Sequence, residues 1–125
     1  MLFALLLTAA ASPPGEVQHV PPDQALAILG HPVADPDGKD IGRLVDVLVG
    51  EDGVPQAGVI DFGGFMGVGS RKIAVQWSAL HFAPADAKRA ITLDLTQEQI
   101  KAAPEYRDVA KPAPVVVAPA AIPRQ

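Results

Sequence analysis

The apolar positions of this chain fall into short runs of Val, Ile and Leu between residues 37 and 82, and Asp-Gly or Gly-rich breaks separate the runs. That spacing predicts successive strands of a small antiparallel sheet, because helices would repeat their apolar residues every three or four positions. Residues 41–49 set Ile41, Arg43, Val45, Val47 and Val49 against Gly42, Leu44, Asp46 and Leu48, so neither face is cleanly polar. Such a strand is covered on both sides, or it is bulged so that its facing changes partway. Glu51-Asp52-Gly53 predicts a hairpin turn and residues 56–62 the returning strand, with Gly58 leaving room for a neighbouring backbone or ring. The pattern resumes over 73–80, with Ile73, Val75 and Trp77 on one face, and again over 90–95, with Ile91, Leu93 and Leu95 together.

Shorter elements flank this sheet. Residues 23–29 predict a helix capped by Asp23, ended by Gly30 and buried through Leu26 and Leu29. Residues 31–34 read as a short first strand with Pro32 at its edge or start, and Asp35-Pro36-Asp37-Gly38 as a turn. Thr96 and Gln99 have the spacing of a capping box, predicting a second short helix that runs to about Ala103 and is ended by Pro104. Beyond Arg107 the sequence is proline-punctuated and aperiodic, which predicts a disordered or extended Pro/Ala-rich tail over 108–125.

The N-terminal eleven residues, MLFALLLTAAA, are apolar except for Thr8. They are too short for the ~20 residues of a spanning helix but suit the core of a signal peptide. Ala9 and Ala11 supply the small residues for cleavage before Ser12, followed by a Pro-rich linker over 12–22. No Lys or Arg precedes the apolar core, so either the true start lies upstream or the α-amino group supplies the positive charge. The expected location is therefore periplasmic or secreted.

At 125 residues and 49% hydrophobic content the chain can bury one core. Without the leader and the tail, the folded part shrinks to roughly 80 residues, near the lower end for independent stability. The net charge of −4 argues against a nucleic-acid partner. With no cysteine there is no disulfide, thiolate zinc site, cysteine nucleophile or lipid-anchoring residue.

The candidate chemistry is thin. Gly64 to Gly69 has Walker-like spacing, but Ser70-Arg71 follows in place of Lys and Ser or Thr, and a strand follows in place of a helix. Gly67-Val68-Gly69 lacks the third glycine of a dinucleotide turn. Asp35-Pro36-Asp37-Gly38 misplaces the glycine of a calcium loop and has no bidentate Glu at the right spacing. His19, His31 and His81 are isolated, and Ser70 and Ser78 have no evident base, so no metal, cofactor or enzymatic activity is expected. Asp46 shares strand parity with Leu44 and Leu48, which predicts an inward carboxylate hydrogen-bonded to turn amides, Arg43 or Arg71. Trp77 is expected to anchor the core, with ligand stacking as the minority reading.

The loop over 63–72, GGFMGVGSRK, places Phe65 and Met66 among glycines and adds Arg71 and Lys72 to an acidic protein. Exposed apolar residues beside cations suit docking to a protein, a second copy in a homodimer included, or to an anionic membrane surface. In the opposing reading Phe65 and Met66 fold back as a plug.

Taken together, Leu29-Gly30-His31-Pro32-Val33, Asp37-Gly38, Ile41-Gly42 with Asp46-Val47, Glu51-Asp52-Gly53, the glycine loop with Phe65 and Met66, Val75-Gln76-Trp77-Ser78-Ala79-Leu80 and Leu93-Asp94-Leu95-Thr96 resemble the PRC-barrel family in order and spacing. The resemblance implies a small, strongly bent β-barrel, as in the cytoplasmic domain of the photosynthetic reaction-centre H subunit and the C-terminal domain of the ribosome maturation factor. Both roles are adaptor or assembly roles. Without a counterpart of the H subunit's membrane helix or of the maturation factor's N-terminal domain in these 125 residues, the chain is expected to stand closer to stand-alone exported members. The reading that follows is a non-enzymatic adaptor of the bacterial envelope, against a periplasmic small-ligand or metal-binding protein, or a cytoplasmic assembly factor if the leader is retained.

Overall fold

The computed structural model describes residues 15–63, 71–107 and 113–118. The predicted leader and the tip of the glycine loop lie outside them. The strands are β1 (Pro32–Ala34), β2 (Asp40–Val49), β3 (Pro55–Asp61), β4 (Lys72–Gln76), β5 (Leu80–Phe82), β6 (Ile91–Leu93) and β7 (Val115–Val116), with one helix, α1 (Gln97–Ala102). They form one seven-stranded sheet in the order β5-β6-β1-β2-β3-β4-β7. The sheet curls into a half-barrel around its apolar side, as expected of a bent barrel. Most pairings are antiparallel, but β1 pairs with β6 and β4 with β7 in parallel.

Both predicted devices of β2 are present. Leu44 pairs with Ile60 and Asp46 with Val59, so Val45 is an extra residue and the ladder bulges there. Before the bulge, Leu44 points to the concave core with Ile41, Ile60, Phe62, Ile73 and Val75. After it, Val47 packs against that same core while Leu48 packs on the convex side against Val59, Ala74 and Tyr106. The bulge also corrects the prediction for Asp46, which is exposed and accepts a hydrogen bond from the Val47 N–H at 2.8 Å. Strand parity counted through the bulge had turned it inward.

Residues 23–29 form no helix. A turn closed by the Gln24 N–H on the Pro21 carbonyl (2.9 Å) and another closed by the His31 N–H on the Ile28 carbonyl (3.0 Å) flank an extended segment that packs Leu26 and Ile28 on the core, while Leu29 stays 65% exposed. An extended chain buries every second residue, so Ile28 takes the place predicted for Leu29. The strand predicted over 73–80 ends at Gln76, and a 3-10 turn at Trp77–Ala79 redirects the chain into β5. The second helix is present with its full capping box: the Gln99 N–H donates to Thr96 Oγ1 at 3.1 Å and the Thr96 N–H to Gln99 Oε1 at 2.8 Å. In the tail, residues 113–118 are extended, and Val115 and Val116 join the sheet.

Candidate interaction surfaces

The glycine loop springs from a fixed root. The Phe62 N–H donates to the Arg71 carbonyl at 2.9 Å, and the Gly63 N–H to Asp61 Oδ1 at 2.9 Å, so both ends of the loop are tied where β3 meets β4. Phe65 and Met66, predicted to face a partner, lie outside the described residues. Lys72 is exposed at the start of β4. The guanidinium of Arg71, also assigned to a partner, donates within the chain to the carbonyl of Lys101 at 3.2 Å and to that of Ala103. These carbonyls end α1, where orphan acceptors and the helix dipole favour a cation, so Arg71 ties the loop root to the helix.

Trp77 sits at the rim of the core. It is half-buried, packs against the concave cluster and meets the Phe82 ring at 5.0 Å between centroids, tilted by 32°. It packs on the border of the core and is not one of the fully buried residues that were expected to include it. The sequence offered no sign of its partner, because β5 was not foreseen as a separate strand.

Sequence reasoning also missed the apolar surface of the β2–β3 hairpin. Val45, Val49 and Val54 are 37%, 58% and 50% exposed, and Val49 and Val54 bracket the turn closed by the Gly53 N–H on the Gly50 carbonyl at 2.9 Å. Their position beside Glu51-Asp52-Gly53 was the available signal, since residues flanking a tight turn project past the end of the sheet.

A cleft of about 490 Å³ opens between the β1–β2 turn and the start of α1, lined by Asp35, Lys39 and Asp94 among polar neighbours and floored by Ile41 and Ile100. A smaller hollow of about 200 Å³ continues from it across Pro36 and Asp94 to His81 and Thr92. The Asp35 carboxylate is already engaged, accepting from the N–H groups of Asp37 and Lys39 at 2.9 Å each. The three histidines stay apart: His31 Nδ1 lies 2.9 Å from the Pro32 carbonyl, His81 Nε2 lies 3.9 Å from Asp94 Oδ2, and His19 is exposed in the linker. Among the described residues no three His, Asp or Glu side chains group to hold a metal. Away from the cleft, the N–H groups of Arg89 and Lys88 donate to Asp86 and hold its carboxyl below the usual carboxylate range. No described helix is long and apolar enough to cross a membrane.

Comparison with known proteins adds one finding. A family model described as PRC-barrel domain matches residues 27–99, from the extended segment that packs Ile28 on the core to Gln99 in the first turn of α1. No curated protein matches the chain.

Proposed function

Because the chain belongs to the PRC-barrel family, we propose that it is a non-enzymatic adaptor or assembly module of the bacterial envelope, holding a protein or membrane-surface partner through the loops at the ends of its sheet. The observation that carries this reading is the hairpin, where Val45, Val49 and Val54 stay exposed on a strand pair that buries Leu44, Val59 and Ile60. Apolar side chains held out on a rigid scaffold bind with little further loss of conformational freedom. The 63–72 loop, whose root is clamped at Phe62, Gly63 and Arg71, is the second surface assigned to the partner.

A photoreactive residue at Val49 or Val54, activated in intact cells, tests the reading by mass spectrometry of the captured species. Defined partners at these positions, and none from the same residue at Lys88, are expected. Equal capture from both positions sinks it. Replacing Phe65 and Met66 with Ser then separates docking from plugging: a docking loop loses partners and keeps its melting temperature, whereas a plug lowers the melting temperature.

The cleft beside α1 favours a second reading, binding of a small polar ligand between Lys39 and Asp94. Metal analysis of the purified protein and thermal-shift screening test it. A stabilising ligand whose effect is lost in Asp94→Ala would support this reading over the first.

A further inference from the structure

On one side β4 pairs with β3. Its other side carries two pieces of the C-terminal chain: the Tyr106 N–H donates to the Lys72 carbonyl at 2.8 Å, and Val115 and Val116 pair with Ala74 and Val75. Under them, Val59, Ala74 and Tyr106 are buried, with Ala113 and Val115 packed on top. Among the described residues the cover is incomplete. β7 has only 2 residues, Val115 and Val116 are half-exposed and Val117 is 62% exposed. The Tyr106 hydroxyl is buried and finds no hydrogen-bond partner among the described residues, although Tyr106 as a whole is only 8% exposed. A buried hydroxyl is usually paired, and leaving it orphaned weakens whatever covers it.

We propose that the outer edge of β4, floored by Val59, Ala74 and Tyr106, is a strand-addition site for an extended, uncharged, β-branched segment of a partner protein, and that residues 113–118 occupy it as a displaceable stand-in. Main-chain pairing on a sheet edge supplies affinity in such sites, and the pockets below alternate side chains supply selection. The sequence Ala113-Pro114-Val115-Val116-Val117-Ala118 shows the chemistry the edge accepts. A better occupant pairs over more than β7's 2 residues and brings a hydrogen-bonding group to the Tyr106 hydroxyl. A second copy of this chain is a poor candidate. Tyr106 leaves the edge at Lys72 and Val115 returns at Ala74, so the tethered segment has a high effective concentration, and an identical segment arriving from solution has no advantage over it.

The test uses the full chain carrying Val115→Asp and Val116→Asp, which place charge on the ladder and release the stand-in, and a fluorescent synthetic peptide of residues 112–119 as probe. The variant is expected to bind the peptide saturably by fluorescence polarisation, at least tenfold more tightly than the unaltered chain, with amide shifts at Ala74, Val75 and Tyr106. A folded variant that fails to bind, or an unaltered chain that binds equally well, overturns the proposal. Hydrogen exchange on the unaltered chain decides the matter if the variant does not fold. Val115 and Val116 amides exchanging far faster than those of β3 support displacement, and exchange only with global unfolding overturns it. Concentration-dependent dimerisation through this edge would overturn the choice of partner.

Discussion

The carbonyl oxygen of Asp61 stands 2.8 Å from the point that a Cβ on Gly42 would occupy, so β2 and β3 approach each other there more closely than any side chain permits. Gly42→Ala must push backbone aside and is expected to destabilise by ~3 kcal/mol, the upper end for overpacking. At Gly58 the obstacles are the Cδ1 methyls of Leu80 and Leu44, at 2.7 and 2.9 Å, which rotate more readily than a peptide unit shifts. Gly58→Ala should therefore cost less, about 1 kcal/mol. Urea melts of both variants check the order, and a larger loss at position 58 would contradict it.

Arg71→Met should loosen the joint between the loop root and α1. Hydrogen bonds from a charged donor net ~1.5–3 kcal/mol, and the partial exposure of Arg71 puts the expected loss at the lower end, about 1–2 kcal/mol. Arg71→Lys should restore little, because a single ammonium does not reproduce the planar fork that reaches two carbonyls. Full rescue by lysine would show that charge alone matters at the helix end.

For Trp77→Ala, half-burial reduces the ~3–5 kcal/mol expected of a fully buried aromatic to about 2 kcal/mol, including the contact with Phe82. Phe82→Ala should shift the fluorescence maximum of Trp77, the only tryptophan, to the red. An unchanged spectrum would mean that the rings do not shield each other in solution.

The mature protein is expected to begin at Ser12 and to fractionate with the periplasm. N-terminal sequencing of the soluble cellular protein checks this, and Met1 as its first residue would refute it.

What could be read from the sequence follows from how local each signal is. The Gly53 turn and the Thr96–Gln99 capping box depend on residues within one turn of each other, and both stand as predicted. The bulge was foreseen as one of two options for β2, but its position, which decides the facing of Asp46, is fixed only by the partner strand β3. Residues 23–29 carried cap and breaker signals without a helical core to pack, so tertiary contact drew Leu26 and Ile28 into an extended path. The hairpin surface was the least legible part of the candidate site, since exposure of Val49 and Val54 depends on what the rest of the sheet leaves uncovered.

The strand order also sets a timetable for folding. β1 lies between β2 and β6, so it lacks its second neighbour until residues 91–93 arrive, whereas β2, β3 and β4 form a meander from adjacent sequence. Non-local closure of this kind slows folding to the millisecond-to-second range, and stopped-flow refolding read at Trp77 should show it. Until closure, Leu44, Ile60 and Ile73 of the meander lack the cover that Ile91, Leu93 and Ile100 later provide. The half-finished sheet is therefore the form of this chain most exposed to aggregation, and one that a chaperone would recognise.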